Sequence, residues 1–318
     1  MTAAPRRPAR PAGAHARGAP PPEGGFRCGL VAIVGRPNVG KSTLLNRLVG
    51  QKVSITSAKP QTTRHRLVGI LTSAAAQIVF VDTPGFQTRE GGALNRALNR
   101  TVRGALEGID LALFVVEAGR FGAQDRAVLD LVPRSVPVVL VVNKSDTLRE
   151  PARMLPFLER VAREHAFAEV VPLSARTGRQ VGELVRVIAG YLPEQPPLYG
   201  ADEITDRSER FLAAELLREK VFRSVGEEVP YGATVVIDRF EEDGRLRRIH
   251  ASIVVEKPGQ KAIVIGEGGE KLKAIASAAR RDMEALFGGK VFLEVWVRVR
   301  KGWSGSAAEL RRLGYEHG

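Results

Sequence analysis

The chain has 318 residues, 44% of them hydrophobic and 26% charged, which suits two soluble domains, and its formal net charge of +13 favours a polyanionic partner. Its single cysteine, Cys28, excludes an intrachain disulfide and suits a reducing cytosol. No apolar run approaches the roughly 18 residues of a membrane span.

Residues 1–25 are Pro, Ala, Arg and Gly with almost no large apolar side chain. They read as a disordered basic arm, and without an apolar h-region they are not a secretory signal. From 26 to 190, apolar runs at Leu30–Val34, Leu67–Leu71, Ile78–Val81, Leu111–Val116, Val136–Val142 and Val170–Leu173 alternate with helical spacings such as Leu44/Leu45/Leu48 and Val181/Leu184/Val185/Ile188. This predicts a doubly wound α/β domain with a mostly parallel sheet.

Four motifs punctuate that domain in order. After the first run comes Gly35-Arg36-Pro37-Asn38-Val39-Gly40-Lys41-Ser42, followed by Thr43. This is a full G-x-x-x-x-G-K-[ST] phosphate loop between a strand and a helix. Its backbone N–H groups and the helix N-terminus face phosphates, Lys41 reaches the β and γ phosphates, and the Ser42 hydroxyl ligates Mg²⁺. The third run ends at Asp82-Thr83-Pro84-Gly85, placing a carboxylate for Mg²⁺ and the Gly85 N–H for the γ phosphate. The fifth run delivers Asn143-Lys144-Ser145-Asp146: the Asp146 carboxylate pairs with N1–H and the exocyclic amine of guanine, Asn143 ties neighbouring loops, and the Lys144 stem packs on the ring. Ser174-Ala175-Arg176 follows the last run, with the Ala175 N–H assigned to the guanine oxygen. Between the first helix and the second strand, Thr62-Thr63-Arg64 supplies a switch threonine for the Mg²⁺ shell. Lys41, Gly85 and one of Thr62 and Thr63 are thus the candidate catalytic residues, and Ser42, Asp82 and the same threonine the metal ligands.

Residues 191–205 are Pro-rich and acidic and read as a linker. From 206 to 302 a helix, two strands, a short helix, Gly266-Glu267-Gly268-Gly269, a helix over Leu272–Phe287 and a strand over Val291–Val299 predict a small α+β domain, leaving 303–318 as a tail. A G-x-x-G loop alone is a weak signal, but it lets backbone approach sugar-phosphate in KH domains, and Lys257, Lys261, Lys271, Lys273, Arg280 and Arg281 flank this one. Between Arg245 and Lys301 the net charge is +7, with 13 basic residues against 6 acidic. Trp296 is expected in the core, whereas Trp303 fits packing and base stacking alike. The five histidines show no metal-ligand spacing and are assigned surface or core roles.

The four ordered motifs resemble those of the translation-factor-related GTPases. QTTRHR (61–66), TDRSERF (205–211), VPYGATV (229–235), HASIVVE (250–256), IVIGEGGEKLK (263–273) and VWVRVRKGW (295–303) resemble the bacterial Era GTPases, from about Phe26 to the C-terminus. The resemblance implies a type II KH domain, cycling between GTP and GDP, and a monomer in the cytoplasm. It implies binding to the 3′ region of 16S ribosomal RNA, a role in maturation and assembly of the small ribosomal subunit, and peripheral contact with the inner membrane. It selects Thr63 over Thr62 for Mg²⁺ and gives Asn38 the position where related GTPases coordinate K⁺. The chain departs from the pattern at Arg176, where relatives often carry lysine, and at Glu267 and Gly268, where a lysine is usual. Phe86 stands where Ras-like GTPases carry a water-orienting glutamine, which implies slow intrinsic hydrolysis. Intact Lys41, Ser42, Thr63, Asp82 and Asp146 argue against an RNA-binding module with an inactive nucleotide site. A tRNA-modification GTPase would need a further catalytic domain that no segment provides.

Overall fold

In the computed structural model, residues 25–57, 59, 62–86, 92–148, 150–226, 229 and 232–312 are described. The arm expected at 1–25 lies, but for Gly25, outside them. Six strands, β1 (Arg27–Val34), β2 (Leu67–Thr72), β3 (Ala76–Asp82), β4 (Leu111–Glu117), β5 (Val138–Asn143) and β6 (Glu169–Pro172), form one sheet in the order β2-β3-β1-β4-β5-β6. Only β2 runs antiparallel to its neighbour. β5 starts two residues later than the apolar run suggests, because Val136 N–H closes a turn onto Pro133 O and Pro137 has no N–H to give a ladder.

Alternation along each strand feeds two cores. Val31, Ile33, Phe80, Leu113 and Val141 face Leu44, Leu45 and Leu48 of α1 (Lys41–Val49) and Leu184 and Ile188 of α5 (Val181–Tyr191). Ala32, Val34, Phe114, Leu140 and Val142 face Val128 and Leu129 of α3 (Ala123–Leu129) and Phe157 and Val161 of α4 (Met154–Ala162). A helix α2 (Gly92–Gly104) lies between β3 and β4 in sequence. Parallel strands buried on both faces put every motif-bearing loop at one carboxyl edge, where such folds bind ligands.

The segment expected as a linker is fastened to the sheet. Pro193 O accepts from Cys28 N–H, Gln195 N–H donates to Phe26 O, Ile204 O accepts from Ile70 N–H, and buried Gln77 Oε1 accepts from the N–H groups of Leu198 and Tyr199. Backbone pairing of this kind needs no apolar periodicity, so the sequence carried no sign of it.

Beyond it, α6 (Glu209–Ser224) starts at Ser208, whose hydroxyl accepts from Phe211 N–H. β7 (Ala233–Asp243), β8 (Leu246–Val255) and β9 (Lys290–Val299) form a three-stranded sheet in that order, antiparallel then parallel. Leu216, Leu217 and Val221 of α6, Val264 of α7 (Pro258–Ile265) and Ile275, Ala279 and Met283 of α8 (Glu270–Phe287) cover one face against Ile249, Ile253 and Val297.

Two expectations need correction here. Trp296 is not in the core but 42% exposed, because β9 alternates and Val291 and Val297 take the helix-covered face. Residues 303–312 are not a free tail: Trp303 is fully buried, Leu310 of α9 (Ala307–Arg312) is buried beside it, and both pack on Leu94 and Leu98 of α2 and on Val254 of β8. An indole at an interdomain seam satisfies both its apolar body and its N–H, which donates to Gly232 O at 3.1 Å.

Candidate nucleotide site and RNA interface

β1 ends at Val34 and α1 begins at Lys41, so the loop between them points the first helical N–H groups out of the sheet edge. Pro37, Asn38, Lys41, Ser42, Thr63 and Gly85 line one cavity there. The Lys41 side chain is buried and its ammonium donates to Gly35 O at 2.8 Å and Arg36 O at 3.1 Å. Burial draws its pKa down to about 8, with Arg36 adding to the shift and Asp82 opposing it. A buried cation held by two carbonyls gains strongly from a phosphate oxygen.

Ser42 Oγ lies 2.8 Å from Thr63 Oγ1 and donates to Asp82 Oδ2 at 2.9 Å, so three residues far apart in sequence converge. Ser54 Oγ, which sequence reasoning missed, donates to the same Asp82 oxygen at 3.0 Å. Burial raises the Asp82 pKa against the pull of Lys41, and Asp82 Oδ1 is a buried oxygen with no hydrogen-bond partner in the protein. Two hydroxyls and a carboxylate with one orphaned oxygen are the hard donor set that Mg²⁺ takes while keeping its own waters. Thr62 points elsewhere: its hydroxyl donates to Lys59 O at 2.7 Å. Gly85 sits against the phosphate loop, and a Cβ there would lie 2.8 Å from Pro37 Cγ and 2.9 Å from Pro37 Cα.

At the other end of the site, Asn143 Nδ2 donates to Val39 O at 2.8 Å, while its Oδ1 accepts from Lys144 N–H at 2.7 Å and Ala175 N–H at 2.9 Å. One buried amide thus joins three loops. The Ala175 N–H is therefore engaged rather than free for the guanine oxygen, and a base would share or replace that bond. Asp146 Oδ1 accepts from Ser174 Oγ at 2.6 Å and Oδ2 from Arg176 Nη2 at 2.5 Å. The Ser174 hydrogen bond holds the Asp146 carboxyl below its ordinary pKa. Arg176 therefore does more than present its backbone. Its guanidinium is exposed, so its ion pair with the carboxylate is weakened by solvent and readily displaced.

Behind the loops, Glu117 at the end of β4 accepts from Arg36 of the phosphate loop at 3.3 Å and from Lys144 at 3.0 Å. The Lys144 stem is anchored by that bond. Glu117 ends an apolar run and carries no motif, so nothing local marks it.

The segment carrying Thr63 also meets the second domain. Thr56 N–H donates to Glu219 Oε1 at 2.9 Å, Arg218 Nη2 donates to Thr62 O at 2.6 Å, and Arg64 Nη1 donates to Ala233 O at 3.0 Å. Lys52 pairs with Glu219 and Asp282.

In that domain, Gly266, Gly268 and Gly269 all have positive φ and turn the chain between α7 and α8. A Cβ at Gly268 or Gly269 would meet nothing within 4 Å, so the outer side of the loop is open to an approaching backbone. Lys257 precedes α7, Lys261 lies within it, and Lys271 and Lys273 lie in the first turns of α8 around Glu267. Arg280 is set back, two turns further on, with Nη1 3.0 Å from Glu284 Oε1.

A phosphate loop, a three-loop base pocket and a G-x-x-G sheet-and-helix unit define a P-loop GTPase joined to a KH domain. Residues 30–144 match the model of the 50S ribosome-binding GTPase family and residues 228–304 that of the KH domain. The chain belongs to the Era GTPase family. It is 57% identical to GTPase Era of Nitrosomonas eutropha over 92% of this chain and 99% of that one, and 56% identical to GTPase Era of Chromobacterium violaceum over 92% and 98%. Two solved structures superpose with a TM-score of 0.88 at 38% identity, covering 91% of this chain and 99% of theirs. One is an Aquifex aeolicus Era variant bound to GDP and AlF4⁻. The other is Era in complex with MgGDPNP and nucleotides 1506–1542 of 16S ribosomal RNA.

Proposed function

We propose that this GTPase is a switch that binds the 3′ region of 16S ribosomal RNA through its KH domain and acts in assembly of the small ribosomal subunit. It works as a cytoplasmic monomer, with residues 26–190 as the GTPase domain, 191–205 as the connector and 206–302 as the KH domain. One observation carries the reading: neighbouring residues report to both halves, Thr63 to Ser42 beside the phosphate loop and Thr62, through its carbonyl, to Arg218 of α6. A change at the γ phosphate is thereby felt by the KH domain. Ser42, Thr63 and Asp82 would hold Mg²⁺, which neutralises charge on the β and γ phosphates. Lys41 binds those phosphates, and the Gly85 N–H reads the γ phosphate.

Gly268→Asp tests the RNA half. At φ 55° and with open space around its Cβ, this position accepts aspartate with less strain than most side chains. The added carboxylate repels phosphates where the backbone should approach them. Affinity for the 16S segment is expected to fall at least about tenfold, and Lys273→Ala is expected to lower the salt slope by about one charge. GTP affinity stays at the parent value in both. Unchanged RNA affinity in a folded Gly268→Asp protein refutes the clamp.

Gly85→Ala tests the switch. The methyl collides with Pro37, so the loop cannot close on the γ phosphate, and hydrolysis is expected to fall on the order of 100-fold, as when an oriented donor is removed. GDP affinity is retained. Asn38, held at φ 64°, is proposed to coordinate K⁺ and to supply charge that Phe86 cannot; equal turnover in K⁺ and Na⁺ buffers removes that role.

A further inference from the structure

The KH sheet has a second face. Val236 and Val254 on it are covered by α2 and Trp303, but one register step beyond Val254 the cover ends. There Trp296 is 42% and Phe292 47% exposed. His250 stacks on Trp296 with ring centroids 5.9 Å apart and planes within 13°, and Phe292 sits 6.1 Å from the same imidazole. Two near-parallel rings, flanked by Phe292 tilted at 59° to the imidazole, therefore form an exposed aromatic patch in a chain that contains only two tryptophans.

Basic side chains stand beside the rings. Arg248 stands opposite Phe292 in the β8–β9 register, Lys290 lies two residues before Phe292, and Lys301 follows Trp296 beyond Arg298 and Arg300, which pair with Asp238 and Glu309. Three acids on this face are engaged: Glu294 lies 3.0 Å from His250 Nδ1, Asp238 accepts from Ser252 Oγ at 2.6 Å and lies 3.4 Å from Arg298, and Glu241, opposite Arg248 in the β7–β8 register, pairs with Arg239. Asp243 stands at the far end of β7, opposite Leu246. Flat π faces interleaved with arginine and lysine are what unpaired bases and their phosphates recognise.

We propose that this platform is a second RNA surface, on which unpaired nucleotides stack against Trp296 and His250 while Arg248 and Lys290 meet their phosphates. It rests on the RNA-binding reading of the KH domain but is separate from the Gly266–Gly269 loop, which lies on the helix-covered side of the sheet. β9 is the edge strand, so RNA held at the loop reaches the platform by passing over that edge.

Trp303 is fully buried and Trp296 exposed, so a change in tryptophan emission on adding RNA reports the platform. With nucleotides 1506–1542 of 16S RNA as probe, saturating RNA is expected to quench the parent protein. Trp296→Ala should abolish the quenching and lower affinity about tenfold, while Trp296→Phe, which keeps a ring, should bind within a few-fold of the parent. Because the side chain is exposed, thermal unfolding of both variants should match the parent. Unquenched emission at saturation together with parent affinity in Trp296→Ala overturns the proposal. If Gly268→Asp still loses affinity, the KH reading survives that result; if it too binds like the parent, both fall. Quenching by phosphatidylglycerol vesicles but not by RNA assigns the face to a membrane surface and likewise overturns it.

Discussion

Asp146→Asn is expected to lower GTP affinity by about 3–4 kcal/mol, several hundredfold, and to raise affinity for xanthosine triphosphate. The role proposed for this carboxylate is to accept the two hydrogen bonds that guanine offers from N1–H and the exocyclic amine. An amide turns one acceptor into a donor, which faces the guanine amine unfavourably but pairs with the oxygen that xanthine carries there. Ser174 Oγ still has an oxygen to donate to, whereas the Arg176 ion pair is lost, so the free pocket opens more readily. Nucleotide affinities measured by titration calorimetry decide it. Parent-like GTP affinity with no gain for the xanthine nucleotide means the base is read elsewhere. Arg176→Ala is the control: removing an exposed competitor should leave guanine preference intact.

Trp303→Ala is expected to cost about 3–5 kcal/mol of stability, the range for a large buried ring truncated in a core. The side chain is fully buried among Leu94, Leu98, Val254 and Leu310, its N–H satisfies Gly232 O, and the Arg64 guanidinium lies 6.0 Å from its ring. Truncation leaves a cavity, an orphaned carbonyl and a buried cation with one aromatic neighbour fewer. Trp303→Phe restores most of the packing but not the hydrogen bond, and should recover roughly half the loss. Urea denaturation followed by circular dichroism measures both. A Trp303→Ala midpoint within about 0.5 kcal/mol of the parent refutes the docking of this segment on α2. Because Leu94 and Leu98 belong to the helix that follows Gly85, the same variant should also loosen the tie between switch and KH domain.

The motifs and the succession of strands along the chain were legible from the sequence because each is a local fact. A phosphate loop is eight consecutive residues whose glycines and lysine suffice to define its chemistry, and a short apolar run bounded by turns predicts a buried strand, though not its direction, since the Leu67–Leu71 run became the antiparallel β2. The strand alternation of Val291, Leu293, Val295 and Val297 also held the information that Trp296 faces the other way, although an expectation that tryptophan is buried overrode it. Tertiary structure alone decided what depends on residues far apart in the chain. Thr62 and Arg218 are 156 positions apart, Lys52 and Asp282 are 230 apart, and Trp303 finds Gly232 across 71. No periodicity or propensity encodes such pairs, since their partners are chosen by how two separately folded cores come to rest against each other. The same holds for Arg176 on Asp146 and Ser54 on Asp82, where loops from different strands meet at one sheet edge and the side chains settle the remaining hydrogen bonds among themselves.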